Sequence, residues 1–298
     1  VKQADTTKIP TGLDLYLSAA ESASSAVITA YSTSFGMAAK LLSKETRRHI
    51  ENIYALVRVA DEIVDGSAAG AKALGGQVDP GSVLNDLERE VYKAISAKFS
   101  PNLIVHAFAH TANTTGFGRS IIEPFFTSMR MDLWKTRHSQ DTFERYVYGS
   151  AEVVGLMCLQ AFIVGVEFNK KEKAKLVAGA RALGSAFQKV NFLRDLAADA
   201  HKLGRSYFPR ITPETLTEAE KNAIVEDIRA ELRISAESIP MIPKASRRAV
   251  VAAHLLFEEL NEQIGNTPAS EVISTRISVP TSRKALILFK AAIGVTPK

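Results

Sequence analysis

The sequence predicts an all-α protein, and three features carry that prediction. Apolar residues recur at steps of three and four through most of the chain, the spacing that gathers them on one side of a helix. No run alternates apolar and polar residues between turn signals, as a half-buried strand would. The interruptions hold the Gly, Pro and Asn expected of turns.

The clearest helix is "RRHIENIYALVRVADEIVD", where Ile50, Ile53, Tyr54, Val57, Ala60 and Val64 fall on one side. The same spacing predicts helices over about 82–98, 120–134, 141–168, 171–200, 216–237, 244–264 and 281–293. Breaks are expected at 66–82, 100–102, 113–118 and 204–215. The stretch at 66–82 is the one candidate linker. Because the helices on its two sides look alike, it is expected to be a surface loop within a single all-α domain spanning 1–298.

The composition, 46% hydrophobic and 23% charged over 298 residues, is that of a globular chain with enough material to line a cavity. A lone cysteine, Cys158, excludes an internal disulfide framework and favours a reducing, cytoplasmic location. No secretory signal and no run of 18 apolar residues is seen, so a membrane span is not expected. The net charge of +5 is spread along the chain without interleaved aromatics, which argues against nucleic acid as a partner. It leaves an anionic membrane surface or a phosphorylated small molecule as candidates.

Two acidic clusters interrupt the apolar pattern. Asp61 and Asp65 are four residues apart, and so are Asp195 and Asp199 in "NFLRDLAADA". In a helix each pair shares one face, and like charges so placed repel. Tyr54 and Arg58 share the sector of the first pair. Gln188 and Asn191 extend the second into a polar stripe nearly three turns long, flanked by Leu183, Phe187, Phe192 and Leu196. A carboxylate stripe with apolar flanks fits an internal polar cavity. Hard divalent cations suit it, since magnesium takes carboxylate oxygens together with substrate phosphates. Two such faces set opposite each other can hold several Mg²⁺ ions with a diphosphate between them. Asn191 adds a neutral oxygen ligand, and Arg58 and Arg194 suit phosphate oxygens.

With both motifs in order, the sequence resembles the squalene/phytoene synthase family, the head-to-head prenyltransferases. The resemblance runs from "YSTSF" (31–35) to "RISVP" (276–280) and includes "YALVRVADEIVD", "YVYGSAEVVGL", "AFQKVNFLRDLAADA" and "GRSYFP". Bacterial phytoene synthases, particularly actinobacterial ones, look most similar. The resemblance implies an isoprenoid-synthase-type helical bundle around a central cavity. By analogy Asp61, Asp65, Asn191, Asp195 and Asp199 would bind Mg²⁺, with Mn²⁺ as a substitute and no NADPH. Arg58, Gln188, Arg194, Arg205, Tyr207, Ser32, Ser34 and Arg276 would contact diphosphate or order the site. Tyr146 and Gly155 would accommodate prenyl tails, with Phe35, Val154, Leu159, Phe162, Leu183 and Phe187 as candidate walls. Tyr54 completes the substrate-binding set, and Tyr146 and Tyr207 join the four aspartates as catalytic candidates. Two departures stand out: Thr33 replaces a basic residue common in relatives, and His254 or Phe257 lies where relatives often have a tyrosine.

The implied activity is Mg²⁺-dependent condensation of two geranylgeranyl diphosphates to phytoene through a cyclopropyl intermediate. The alternatives are dehydrosqualene or squalene synthesis from farnesyl diphosphate, and a non-catalytic assembly or lipid-binding protein of the same fold. Peripheral membrane association is an expectation from the apolar substrate and product. The His106–His110 pair is read as a solvated or satisfied helix face, "NKKEKAK" (169–175) as a solvated helix start, and Cys158, Met131 and Trp134 as core. Oligomeric state is not fixed by the sequence.

Overall fold

The computed structural model describes residues 11–32 and 34–297, without the side chains of residues 34, 35, 69 and 200–203. Among the described residues every regular element is helical, apart from one isolated bridge between Arg137 and Ser206. The helix starts follow local chemistry. Helix α1 (Gly12–Tyr31) begins on a capping box in which the Thr11 hydroxyl accepts from the Asp14 amide and the Asp14 carboxylate from the Thr11 amide. After α2 (Ser34–Ala39), Ser43 caps α3 (Lys44–Asp65).

Within 66–82, expected to be loop, the Ala-rich "SAAGAKA" forms a short helix, α4 (Ser67–Ala73); alanine costs the least to place in a helix. Asp79 and Pro80 then start α5 (Pro80–Ala97), and Asn102 caps α6 (Leu103–Thr115). Helix α7 (Arg119–Asp132) is followed by α8 (Gln140–Val147), a π-helical turn (Tyr148–Glu152) and α9 (Val153–Phe162). The longest element, α10 (Lys170–Leu203), spans about 50 Å at 1.5 Å per residue. Helices α11 (Glu218–Ser238), α12 (Lys244–Asn266), α13 (Ala269–Val272) and α14 (Thr281–Ala292) complete the bundle.

Three buried clusters hold it together. One joins α3, α5, α6, α7 and α9 through Ile53, Leu84, Phe108, Phe126 and Met157. A second gathers Tyr146, Leu193, Phe208, Ile228 and Leu260 around the C-terminal half of α10. The third, with Leu176, Val250 and Ala291, ties the N-terminal half of α10 to α12 and α14.

Helix α3 therefore carries two faces. Ile50, Ile53, Leu56 and Ala60 are sealed in the core, while Tyr54, Val57, Arg58, Asp61 and Val64 are half-buried along its other flank.

The motif "YVYGSAEVVGL" has a packing reason. A Cβ on Gly149 would lie 2.2 Å from the Pro124 carbonyl oxygen, and one on Gly184 2.5 Å from that of Ala151. Only glycine lets α7, the π turn and α10 approach so closely. Ser128 of α7 donates to the Tyr146 carbonyl at 3.2 Å, satisfying a backbone group at the edge of the π turn. That fixes Tyr146 against α7. No described helix is long and apolar enough to cross a membrane.

Candidate active site

The site forms where the C-terminal ends of α3, α7 and α10 meet. Just after α10, Gly204 takes a left-handed conformation (φ +64°), which lets the chain fold back on itself. Ser206 then donates its amide to the Thr136 carbonyl at 2.9 Å, and Arg205 donates its own to the Asp199 carbonyl at 3.2 Å. The Arg205 side chain is thereby driven inward, leaving the residue 6% exposed.

Arg205 is the hub. Its guanidinium donates to the Asp65 carboxylate, to the Val64 carbonyl at 3.1 Å and to the Asp132 carbonyl at 2.7 Å. It also lies 3.7 Å from the Asp132 carboxylate. Tyr146 donates to Asp132 Oδ2 at 2.6 Å and Tyr207 to Oδ1 at 3.3 Å. The Tyr207 ring is pinned by Phe192 on one side, with centroids 4.1 Å apart and planes at 10°, and by His138 at 5.8 Å. Burial raises the Asp132 carboxyl to about 7, moderated by Arg205 and the Tyr146 hydroxyl. Burial and the neighbouring carboxylate push both tyrosine hydroxyls well above their ordinary range. Asp132 was not singled out in the sequence as a site residue. A single acid in "MRMDLW" has no partner at helical spacing, because its partners come from α8 and from residues 205–207.

The four motif aspartates divide into two kinds. Asp65 is held by Arg205. Asp195 is held by Arg194, with Nε at 3.1 Å, and by Arg276 across the cleft at 3.0 Å. Asp61 and Asp199 are crowded instead. Desolvation and then the Asp65 carboxylate push Asp61 up to about 8, although Arg58 lies 4.0 Å away. Desolvation, Asp195 and Asp65 raise Asp199 to about 7. Arg205 binds Asp65 of α3 through its side chain and the Asp199 carbonyl of α10 through its amide, so the two acidic motifs meet there.

Of the remaining sequence candidates, Arg58 lies over the Tyr31 ring at 4.3 Å and binds Glu62, and Tyr54 accepts support from Ser32. Gln188 and Asn191 are half-buried on the α10 face that carries the aspartates. Thr33 and the side chains of Ser34 and Phe35 lie outside the described residues. Gly155 is explained by packing: a Cβ there would sit 2.4 Å from the Ala180 carbonyl oxygen, so glycine serves the approach of α9 to α10. Among the proposed walls, Leu159 is sealed in the core, whereas Val154, Phe162, Leu183 and Phe187 are half-buried. Phe187 stacks on Phe257 at 3.6 Å. His254 is buried, and desolvation lowers its imidazole to about 4.

The donor set fits hard cations: carboxylate oxygens predominate, and burial, followed by the neighbouring carboxylates, raises Asp61 and Asp199. Among the described residues no three acids, imidazoles or thiols converge on one point; Arg205 engages Asp65, and Arg194 and Arg276 engage Asp195.

Comparisons with known proteins bear on the family and the fold. The squalene/phytoene synthase family model matches residues 28–283. A 15-cis-phytoene synthase from Enterobacter agglomerans is 27% identical over 282 residues, covering 88% of this chain and 91% of that one. A chloroplastic phytoene synthase from Daucus carota is 29% identical over 258 residues, covering 80% and 61%. A crystal structure of a dehydrosqualene synthase, 21% identical, superposes with a TM-score of 0.74 over 93% of this chain and 96% of that one. A squalene synthase from Alicyclobacillus acidocaldarius gives 0.71 at 18% identity, over 85% and 97%. At such identities the two structures speak to the fold alone. The family match spans most of the chain, and the protein belongs to the squalene/phytoene synthase family.

Proposed function

We propose that the protein, acting as one catalytic unit, joins two geranylgeranyl diphosphates head to head to give phytoene. The reading is supported by the family match, by relatives named phytoene synthase and, above all, by Arg205, which binds the Asp65 carboxylate through its side chain and the Asp199 carbonyl through its amide and so brings the two acidic motifs together. Asp61, Asp65, Asn191, Asp195 and Asp199 would hold Mg²⁺. When bound, the metal would neutralise diphosphate charge and so make it a competent leaving group.

The chain's own residues supply the rest. Arg276 is 73% exposed and Arg194 only 20%, so both stand at the cleft with guanidinium forks able to trade a carboxylate for phosphate oxygens. Arg205 is fixed by two backbone carbonyls and serves as a stationary positive charge beside Asp65. Breaking the C–O bond of one substrate leaves an allylic cation, and the double bond of the second substrate attacks it. Proton loss closes a cyclopropane that still bears one diphosphate. A second ionisation, rearrangement and proton loss complete the hydrocarbon. Water would quench the cations, and Val154, Phe162, Leu183 and Phe187 are the apolar groups assigned to exclude it. We place the reaction in the cytoplasm.

Incubation with Mg²⁺ and either geranylgeranyl or farnesyl diphosphate, followed by mass spectrometry of the hydrocarbon, tests the assignment. A C40 product from geranylgeranyl diphosphate is expected. A C30 product formed from farnesyl diphosphate alone would reassign the substrate. Absence of pyrophosphate release from either would refute the catalytic reading.

A further inference from the structure

Helix α14 has two apolar sides, and the protein covers only one. Ile287 and Ala291 are 5% and 0% exposed against α12. Leu286, Phe289 and Ile293, at i, i+3 and i+7 on the opposite side, are 42%, 62% and 63% exposed. A surface helix ordinarily turns polar residues outward. Here Lys290 stands, exposed, among the apolar three.

A second segment repeats the pattern. The turn between α9 and α10 exposes Val164 and Val166 on either side of Gly165, whose left-handed backbone (φ +73°) shapes the turn. Lys170, Lys171 and Lys173 follow at the exposed start of α10, against one exposed acid in the turn, Glu167. Ile163 of the turn and Ala291 of α14 belong to the same buried cluster as Val250 and Val251 of α12. Both segments are thus anchored in one part of the core.

We infer that α14, with the α9–α10 turn, docks on the surface of an anionic lipid bilayer. Phe289 and Ile293 enter the headgroup boundary, and the lysines meet lipid phosphates. Charge decides against a second copy of the chain as the occupant, since two such surfaces face to face would set lysines against lysines. The inference rests on this surface and not on the proposed chemistry, so either can fail without the other.

Flotation of the full chain with phosphatidylcholine vesicles, and with vesicles containing about one-third phosphatidylglycerol, tests it. The protein is expected to float with the anionic vesicles and to stay behind with the neutral ones. Phe289→Ser with Ile293→Ser should cut the floated fraction roughly tenfold or more, since two large apolar groups no longer leave water. Lys170→Glu with Lys171→Glu should weaken binding and remove its salt dependence. Trp134→Ser, at an exposed residue just beyond α7, should float as the parent does. All these sites are exposed, and an unchanged thermal melt confirms that the variants fold. The inference is overturned if the parent fails to float with anionic vesicles or if the Phe289/Ile293 variant floats equally well. It is equally overturned if only Trp134→Ser loses binding, or if the Phe289/Ile293 variant abolishes a dimer instead.

Discussion

The two aspartate pairs have the same spacing and opposite assignments. On α3 the first acid, Asp61, is crowded and the second, Asp65, is clamped by Arg205. On α10 the first, Asp195, is clamped by Arg194 and Arg276 and the second, Asp199, is crowded. Each face therefore presents one carboxylate whose charge is balanced inside the protein and one whose charge is not. A motif of two acids four residues apart does not say which is which; the arginines that reach it do. The crowded pair is where a cation would relieve most repulsion.

That contrast can be broken by substitution, and turnover should respond most. Asp61→Asn and Asp199→Asn are each expected to lower product formation by about a hundredfold or more, the scale seen when charge stabilisation of a leaving group is removed. Steady-state pyrophosphate release measures this. Near-parental rates in both variants would dissolve the distinction between crowded and clamped acids.

Next in size is the clamp itself. At pH 8, where the Asp132 carboxyl has lost its proton, Arg205→Ala leaves it buried without its cation, and breaking such a pair costs about 3–5 kcal/mol. A denaturant midpoint near the parental value would show that Arg205 is not the hub. A smaller loss, about 1–2 kcal/mol, is expected for Tyr207→Phe, which removes the hydrogen bond donated to Asp132 and the one accepted from Arg205 and keeps the stacked ring.

The pH dependence sharpens the same picture. Asp61, Asp132 and Asp199 keep their protons in the folded protein to about 8, 7 and 7, whereas an unfolded aspartate gives its proton up near the ordinary value of 3.8. At these three sites the folded state binds more protons than the unfolded one, whereas buried His254, lowered to about 4, acts the other way below its ordinary value of 6.5. Metal-free stability should therefore fall as pH rises from about 6.5 to about 8. Melting temperatures across that range should decline. A steady rise would mean that the carboxylates are better compensated than their neighbours imply.

How much of this could be read from the residues differs by feature. Helical periodicity showed the fold class, and four-residue spacing showed both acid pairs, because each signal lies within one helix. Asp132 escaped because its meaning lies in Tyr146, Tyr207 and Arg205, brought to it only by the tertiary fold. Gly155, expected beside a substrate tail, is also a helix contact, a feature that depends on where Ala180 falls. Trp134, expected in the core, is 69% exposed, since α7 ends at Asp132 and releases the residues beyond it. The His106–His110 pair departs in part from a solvated or satisfied helix face, because His106 is buried and its Nδ1 has no hydrogen-bond partner among the described residues. His106 is buried between the edges of Tyr16 and Phe99, and His110 stacks 6.4 Å from His49. Cys158 fits its expectation, with burial pushing its thiol up to about 12.

The most direct measurement is the melting temperature at pH 8 of the parent and the Asp61→Asn/Asp199→Asn double variant, with and without Mg²⁺ plus pyrophosphate. The parent should melt lower than the variant alone and rise sharply when metal and pyrophosphate are added, while the variant should scarcely respond. A variant that melts lower than the parent, or that gains as much from Mg²⁺ and pyrophosphate, would contradict the account of two crowded acids awaiting a cation.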